Sequence, residues 1–410
     1  MTSSDRRLAA ALSRRAVLKA GAAGAALVAA PTVLRAQAPA VKLGIIQPVT
    51  GALAEAGDLG RLGAELAIAD INAAGGLKAL GGAKIEMVFA DNRSNPEAAA
   101  QEVERLQGEK VAAIVGGFGS GLCMTATQAA ARYDLPYLVD VGVADAITKR
   151  GLKNTFRMAP SFSMATEVAL KNLVTLNDAA GKPVKTVVIV HEDGLFGSGL
   201  AKLLGSELPK LGFEVLETIS HPTPARDMSN IALRIRSLKP DLVIPSNYYG
   251  EFVLLARTMQ QQRIRPKAIY AIFGGGASSL RFVKEFPQAA DGVIDCNHWH
   301  DPKNPKSADI RARTEAAGKS YVYNVPLNYS AVMLMAEAIE VAGGVASDKL
   351  IAALSSRDFG SGVMPYGRSK FVEGQNVSAL PLNTQIQDND VKVIYPDAFA
   401  QVKPVFPLKA

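Results

Sequence analysis

Cysteine, tryptophan and histidine are scarce in this chain of 410 residues, at two, one and four copies. Two cysteines, Cys123 and Cys296, exclude a disulfide framework and allow at most one bridge. Their separation in sequence says nothing about their distance in space, and two separate buried thiols are the expectation. The four histidines, His191, His221, His298 and His300, stand in no recognised Ser-His-Asp or Cys-His spacing. That argues against a hydrolase, although triads are assembled in space and not in sequence. After residue 40 every apolar run is broken by charges, glycine or proline, so no membrane span is expected there. Short-period repeats and low-complexity linkers are missing too.

A large excess of one charge is also absent once the N-terminus is set aside. Ser13-Arg14-Arg15-Ala16-Val17-Leu18-Lys19 resembles the twin-arginine export signal, with valine where phenylalanine is more usual. An uncharged run from Ala20 to Leu34 follows, then the small residues Ala36-Gln37-Ala38 of a cleavage site. The run is rich in glycine and alanine and shorter than the roughly 20 residues a stable span needs. Residues 1–38 are therefore expected to be removed on export to the periplasm. Without their six basic residues and Asp5, the chain keeps 39 basic and 37 acidic residues. Such a balance gives no support for a nucleic-acid partner. A chain of this length exceeds what one core usually supports, so two lobes are expected, and a hydrophobic content of 48% can bury both cores.

What is present is a regular alternation of strand and helix. Leu43–Gln47 reads as a buried strand ending at Pro48. A helix is expected over Gly60–Asn72 with Leu62, Leu66, Ile68, Ala69 and Ile71 on its apolar face, stopped by Gly75-Gly76. Ile85–Ala90 is the next strand, and Asn95-Pro96-Glu97 opens a helix with proline at its first position. Further strands are expected at Val111–Val115, Leu135–Val139, Lys185–Val190, Phe213–Glu217, Leu242–Pro245 and Ala268–Ile272. Glu251–Gln262 and Ser330–Val341 read as the clearest later helices. This order predicts an α/β fold of two doubly wound, Rossmann-like sheets, with any ligand crevice beyond the strand ends.

The Thr50-Gly51 turn, the helix end Ala69-Asp70-Ile71-Asn72-Ala73-Ala74-Gly75-Gly76 and the helix start Asn95-Pro96-Glu97 occur here in one order. Together they resemble the opening of the periplasmic branched-chain-amino-acid-type solute receptors, the type I binding proteins that serve ABC importers. The resemblance runs over nearly all of the chain after residue 40. It implies two lobes, 41–158 plus 299–379 and 159–298 plus 380–410, joined by a three-strand hinge. The crossings would fall near Arg157–Pro160, Cys296–Asp301 and Ala379–Asn383. It further implies a monomeric receptor that closes over a small solute, needs no cofactor, does no covalent chemistry and hands its ligand to permease and ATPase subunits. A sensory receptor reporting to a kinase would look the same in sequence.

Gly116-Gly117-Phe118-Gly119-Ser120-Gly121 follows a strand and opens a helix. Its spacing fits neither a dinucleotide fingerprint nor a nucleophile elbow. It does place a hydroxyl and free N–H groups at a helix start, which is an anion cradle; a simple helix cap is the competing reading. In the family the serine matching Ser120 holds the ligand's carboxylate, with backbone groups of the loop matching Gly142, Val143 and Ala144. The resemblance also places Phe196 and Tyr248 as cleft aromatics and Ala56 over the ligand. The chain departs from the family at Phe273-Gly274-Gly275-Gly276, where amino-acid-binding members carry an acidic residue that pairs with the ligand's ammonium. Either Asp140, Asp145, Glu192 or Asp193 replaces it, or the ligand has no amine. A carboxylate without an amine, an aromatic acid for example, suits Ser120 with Phe118, Phe196, Tyr248 and Trp299, and Gly275 then lies against it.

One rival is a metal site. Cys296, His298 and His300 would share one side of an extended strand, and these residue types are good zinc or copper ligands. The plainer alternative is a polar crossover strand with Trp299 facing the cleft.

Overall fold

The protein's structure, a computed structural model, describes residues 38–408. The expected export signal, through Gln37, lies outside the described residues. Five strands in sequence build the first sheet: β1 (Val41–Gln47), β2 (Ile85–Asp91), β3 (Ile114–Gly116), β4 (Tyr137–Val139) and β5 (Thr155–Arg157). The next five build a second sheet: β6 (Thr186–Glu192), β7 (Glu214–His221), β8 (Leu242–Ser246), β9 (Ala268–Ile272) and β10 (Ile294–Asn297). The chain then returns to the first sheet with β11 (Asp358–Gly360), β12 (Arg368–Val372) and β13 (Gln375–Asn376), and ends in the second with β14 (Leu382–Gln387) and β15 (Asp390–Tyr395). The orders are β11-β12-β13-β5-β4-β3-β1-β2 and β15-β14-β10-β9-β8-β6-β7. Each sheet has a parallel centre and an antiparallel edge contributed by the late strands. The chain thus passes between the two sheets three times, after β5, β10 and β13.

Apolar strands at the centres of both sheets explain the burial. Leu43, Ile45 and Ile46 of β1 and Val187–Val190 of β6 are solvent-free, because helices cover both faces. Several strands are shorter than their apolar runs suggest. Val111–Ala113 and Leu135–Pro136 are buried approach segments, and pairing begins only at Ile114 and Tyr137.

The first helix, Ala54–Ala73, corrects the expected apolar face. Its buried side is Gly57, Leu59, Gly60, Gly63, Ala64, Ala67, Ile68 and Ile71, while Ala69 is exposed and Leu62 and Leu66 are half-buried. Small residues face inward because the Asn324–Ala342 helix packs very close. A methyl on Gly63 would sit 2.3 Å from the Val325 carbonyl oxygen. Asn95 caps the Pro96–Gly108 helix by accepting from the Ala98 N–H at 2.8 Å, and Gly75 and Gly76 terminate the first helix with φ of 105° and 77°. Both cysteines are buried free thiols, Cys123 beside the first sheet and Cys296 on β10 of the second. Among the described residues no single helix is long and apolar enough to cross a membrane.

Candidate ligand-binding site

A cavity with roughly 330 Å³ of empty volume opens where strands of both sheets end. Its lining comes from the loops after β3 (Phe118, Gly119, Ser120), β4 (Val141, Gly142, Val143), β6 (Phe196), β8 (Tyr248), β9 (Phe273, Gly275) and β10 (His298), with Tyr323 completing it. All of these strands are parallel members of their sheets, so the site occupies the carboxyl-end crevice of both.

One end is built for an anion. Gly116, Gly117 and Gly119 all have positive φ, which lets the loop after β3 turn sharply into the Ser120–Ala131 helix. Ser120 is the first helical residue and Gly119 holds the cap position, with no side-chain cap bond. The serine hydroxyl instead accepts from the Ala144 N–H at 3.1 Å, which leaves its own hydrogen to donate. The Gly142 N–H is committed to the Gly117 carbonyl at 3.1 Å, and Val143 is the loop residue whose N–H has no acceptor among the described residues. Arg157, only 1% exposed, holds this loop from behind. It donates to the carbonyls of Ala144 (2.6 Å) and Gly142 (3.3 Å) and to Gln375 Oε1 (2.7 Å). Burial pushes its guanidinium down to about 10, so it stays charged at neutral pH. A fixed positive charge and the first turn of a helix both favour an anion here.

The remainder is aromatic. Tyr248 packs 5.6 Å from Phe118 and 5.4 Å from Phe196, ring centre to ring centre, and so links loops of the two sheets. Burial, with Glu192 next, holds the Tyr248 hydroxyl well above its ordinary value, so it remains a neutral donor.

Among the described residues no carboxylate lines this inner cavity. Asp140 is fully buried but receives Gln47 Nε2 (2.6 Å) and the Val141 N–H (2.7 Å). Asp145 takes the Ser163 N–H and hydroxyl and Lys149. Glu192 takes the N–H groups of Gly194 and Gly197, and Asp193 is exposed. Nor is there room for an acid at 274–276. A Cβ on Gly274 would stand 2.6 Å from Ala271 Cβ, one on Gly275 2.6 Å from the Tyr249 nitrogen, and one on Gly276 2.5 Å from the Phe252 ring.

Residues 40–384 match the family profile described as periplasmic binding protein. The chain belongs to the periplasmic binding protein family. A curated relative, Leu/Ile/Val-binding protein homolog 7 of Brucella melitensis, is 29% identical over 374 residues, covering 88% of this chain and 92% of the relative. Among solved structures, a branched-chain amino acid transporter substrate-binding protein of Streptococcus pneumoniae in complex with isoleucine superposes with a TM-score of 0.72 at 22% identity, over 87% of this chain and all of that one. A solute-binding protein of an ABC transporter from Rhodopseudomonas palustris in complex with 3,4-dihydroxybenzoic acid gives 0.74 at 20% identity, over 90% and 98%. At such identities the structures share the fold, two lobes of α/β architecture.

Periplasmic binding proteins are extracytoplasmic receptors for small ligands and not enzymes. Ala56 lies in an outer space of roughly 600 Å³ that shares Phe118, Tyr248, Gly275 and Tyr323 with the inner cavity. Ala144 stands behind the loop as a donor to Ser120. Trp299 does not line either space. It is 2% exposed and packs on His300 and Tyr321, because it lies beyond Asn297, where β10 ends and the ladder no longer imposes strand alternation. For the same reason the proposed metal trio separates. Cys296 points toward the Ala165 carbonyl, His298 lies against Phe273 and Tyr323, and His300 lies against Trp299 and Tyr321. No metal-holding group of three exists among the described residues.

Phe273, His298, Tyr323 and Arg157 are the functional candidates that sequence reasoning did not place in the cleft. His298 was visible only as a metal candidate, and Arg157 only as the start of a crossover. Tyr323 sits just before a helix whose apolar pattern reads as core.

Proposed function

We propose that the chain binds a small aromatic carboxylate lacking an amine in the cleft between its lobes and delivers it to the permease of an ABC importer. The observation that carries this reading is a cavity with an anion-binding end, five aromatic side chains and no carboxylate. An α-amino acid presents an ammonium group that this lining leaves without a partner. Of the two ligand classes held by similar receptors, isoleucine and a hydroxylated benzoic acid, the lining favours the second. Export by the twin-arginine route and lobes of 41–158 plus 299–379 and 159–298 plus 380–410 complete the proposal.

Ser120→Ala tests the anion end. Loss of one charge-assisted bond predicts benzoate binding weaker by about 1–3 kcal/mol by calorimetric titration. Unchanged affinity in that variant, or no binding by the unaltered protein, rejects the reading.

Closure follows from ligand contacts made by both lobes, since a ligand touching one lobe alone shifts no equilibrium. The cleft mouth carries its own tie. Arg281 of the Leu280–Glu285 helix reaches Glu55 of the Ala54–Ala73 helix at 2.8 Å and lies over the Tyr249 ring. Both side chains are about two-fifths exposed, at 44% and 38%, so the pair is worth no more than about 1 kcal/mol. Arg281→Ala is expected to weaken ligand binding by that amount at low salt, with the difference vanishing near 1 M salt. Titrations at the two ionic strengths check it.

A further inference from the structure

His298 is 1% exposed and lines the inner cavity, and its buried Nδ1 has no hydrogen-bond partner among the described residues. Its backbone N–H is engaged with Asn297 Oδ1, so among the described residues it is the ring Nδ1 that is left unsatisfied. Phe273 at 4.7 Å and Tyr323 at 5.5 Å fix the ring's position by packing, without offering it a partner. A buried polar group in that condition is costly unless something else pairs with it. The cavity it borders is where a ligand sits under the reading above, on which this inference rests.

We propose that His298 sets the specificity of the cleft by pairing with a hydroxyl on the ligand's ring, so that hydroxylated aromatic acids are preferred to benzoate. A neutral imidazole carries one donor and one acceptor. A phenolic hydroxyl also carries both, so it can pair with the ring nitrogen facing it in either tautomer, whereas a carboxylate or carbonyl serves only one. Burial, with Arg157 next, pushes His298 down to about 3, so the ring is neutral across the physiological range. The carboxylate has its own partners elsewhere, at Ser120 and the Val143 N–H, and does not need this one. An unsubstituted ring would bury the imidazole with nothing opposite it, and sites of that kind reject the analogue lacking the polar group.

The test is calorimetric titration of benzoate and of 2-, 3- and 4-hydroxybenzoate into the unaltered protein and into His298→Phe, which keeps an aromatic ring between Phe273 and Tyr323. At least one hydroxybenzoate is expected to bind about tenfold or more tightly than benzoate in the unaltered protein. The preference should shrink to within about threefold in His298→Phe, whatever the change in affinity for benzoate itself. Nitrogen-15 spectra of labelled imidazoles add a readout that needs no variant. The His298 signals should move on adding the preferred hydroxybenzoate and stay with benzoate. Benzoate and all three hydroxybenzoates binding within threefold of one another would overturn the inference while leaving the aromatic-acid reading intact. So would a preference undiminished in His298→Phe. Silence with all four acids would overturn both.

Discussion

Leucine should give no measurable heat on titration into this protein at concentrations where a benzoate-type acid saturates it. Both ligands offer a carboxylate to Ser120 and the Val143 N–H, so the difference lies in the amine. Burying an ammonium without a counter-charge costs several kcal/mol. A penalty on the order of 4 kcal/mol is about a thousandfold in affinity. Gln47 and the Val141 N–H occupy Asp140, Gly194 and Gly197 occupy Glu192, and among the described residues no carboxylate lines the inner cavity itself. The outer space does hold Glu55, but Arg281 is paired with it. Restoring an acid by Gly275→Asp should not convert the site. The new Cβ would press on the Tyr248–Tyr249 backbone, at 2.9 Å from the Tyr248 carbonyl carbon and 2.6 Å from the Tyr249 nitrogen, and so displace the cleft aromatic. That variant is expected to lose the aromatic acid and gain no amino acid. Tight leucine binding by the unaltered protein, with the aromatic acids silent, would reverse the argument.

The scaffold behind this site was legible in the sequence because it depends on local signals. Buried strands between turn residues, Asn95 before Pro96 and the Gly75-Gly76 stop each dictate their element whatever surrounds them. The two-sheet topology followed from the alternation. The face of the first helix did not, because it is set by a long-range contact. The close approach of Asn324–Ala342 demands glycine and alanine there, and hydrophobicity alone pointed to Leu62 and Ala69 instead. The cleft divides in the same way. Phe118, Ser120, Phe196 and Tyr248 sit in the loops or first helical turns that follow strands, so their place beyond the strand ends could be inferred. His298, expected only as a metal candidate, lines the cavity where Trp299 was expected, because the point where β10 stops pairing is fixed by its neighbours β9 and β14. Arg157 acts through carbonyl groups of a loop more than ten residues earlier in the chain, a relation no spacing rule encodes.

Asp140→Asn should change stability by an amount that grows with pH. Burial pushes Asp140 up to about 7 against the hydrogen bonds of Val141 and Gln47, and pushes Asp295 up to about 6. A carboxyl raised in the folded state contributes stability that is intact below its unfolded value near 3.8 and is lost as pH rises through the folded value. For these two groups the loss therefore runs from about pH 4 to 6 or 7. Two histidines oppose it. Burial lowers His298 to about 3 and His300 to about 4, so each contributes stability present above 6.5 and lost as pH falls toward the folded value. Two rising and two falling contributions nearly cancel between pH 4 and 6, and a pH scan of the unaltered protein would conceal all four. The comparison of variant with parent isolates one of them. Three pKa units correspond to about 4 kcal/mol, so the unfolding free energy of Asp140→Asn relative to the parent should rise by about that much between pH 4 and pH 8. Urea unfolding at unit steps of pH measures it. A constant difference across the range would mean that Asp140 is ionised in the folded protein from the start, stabilised by its two donors and not desolvated beyond their reach.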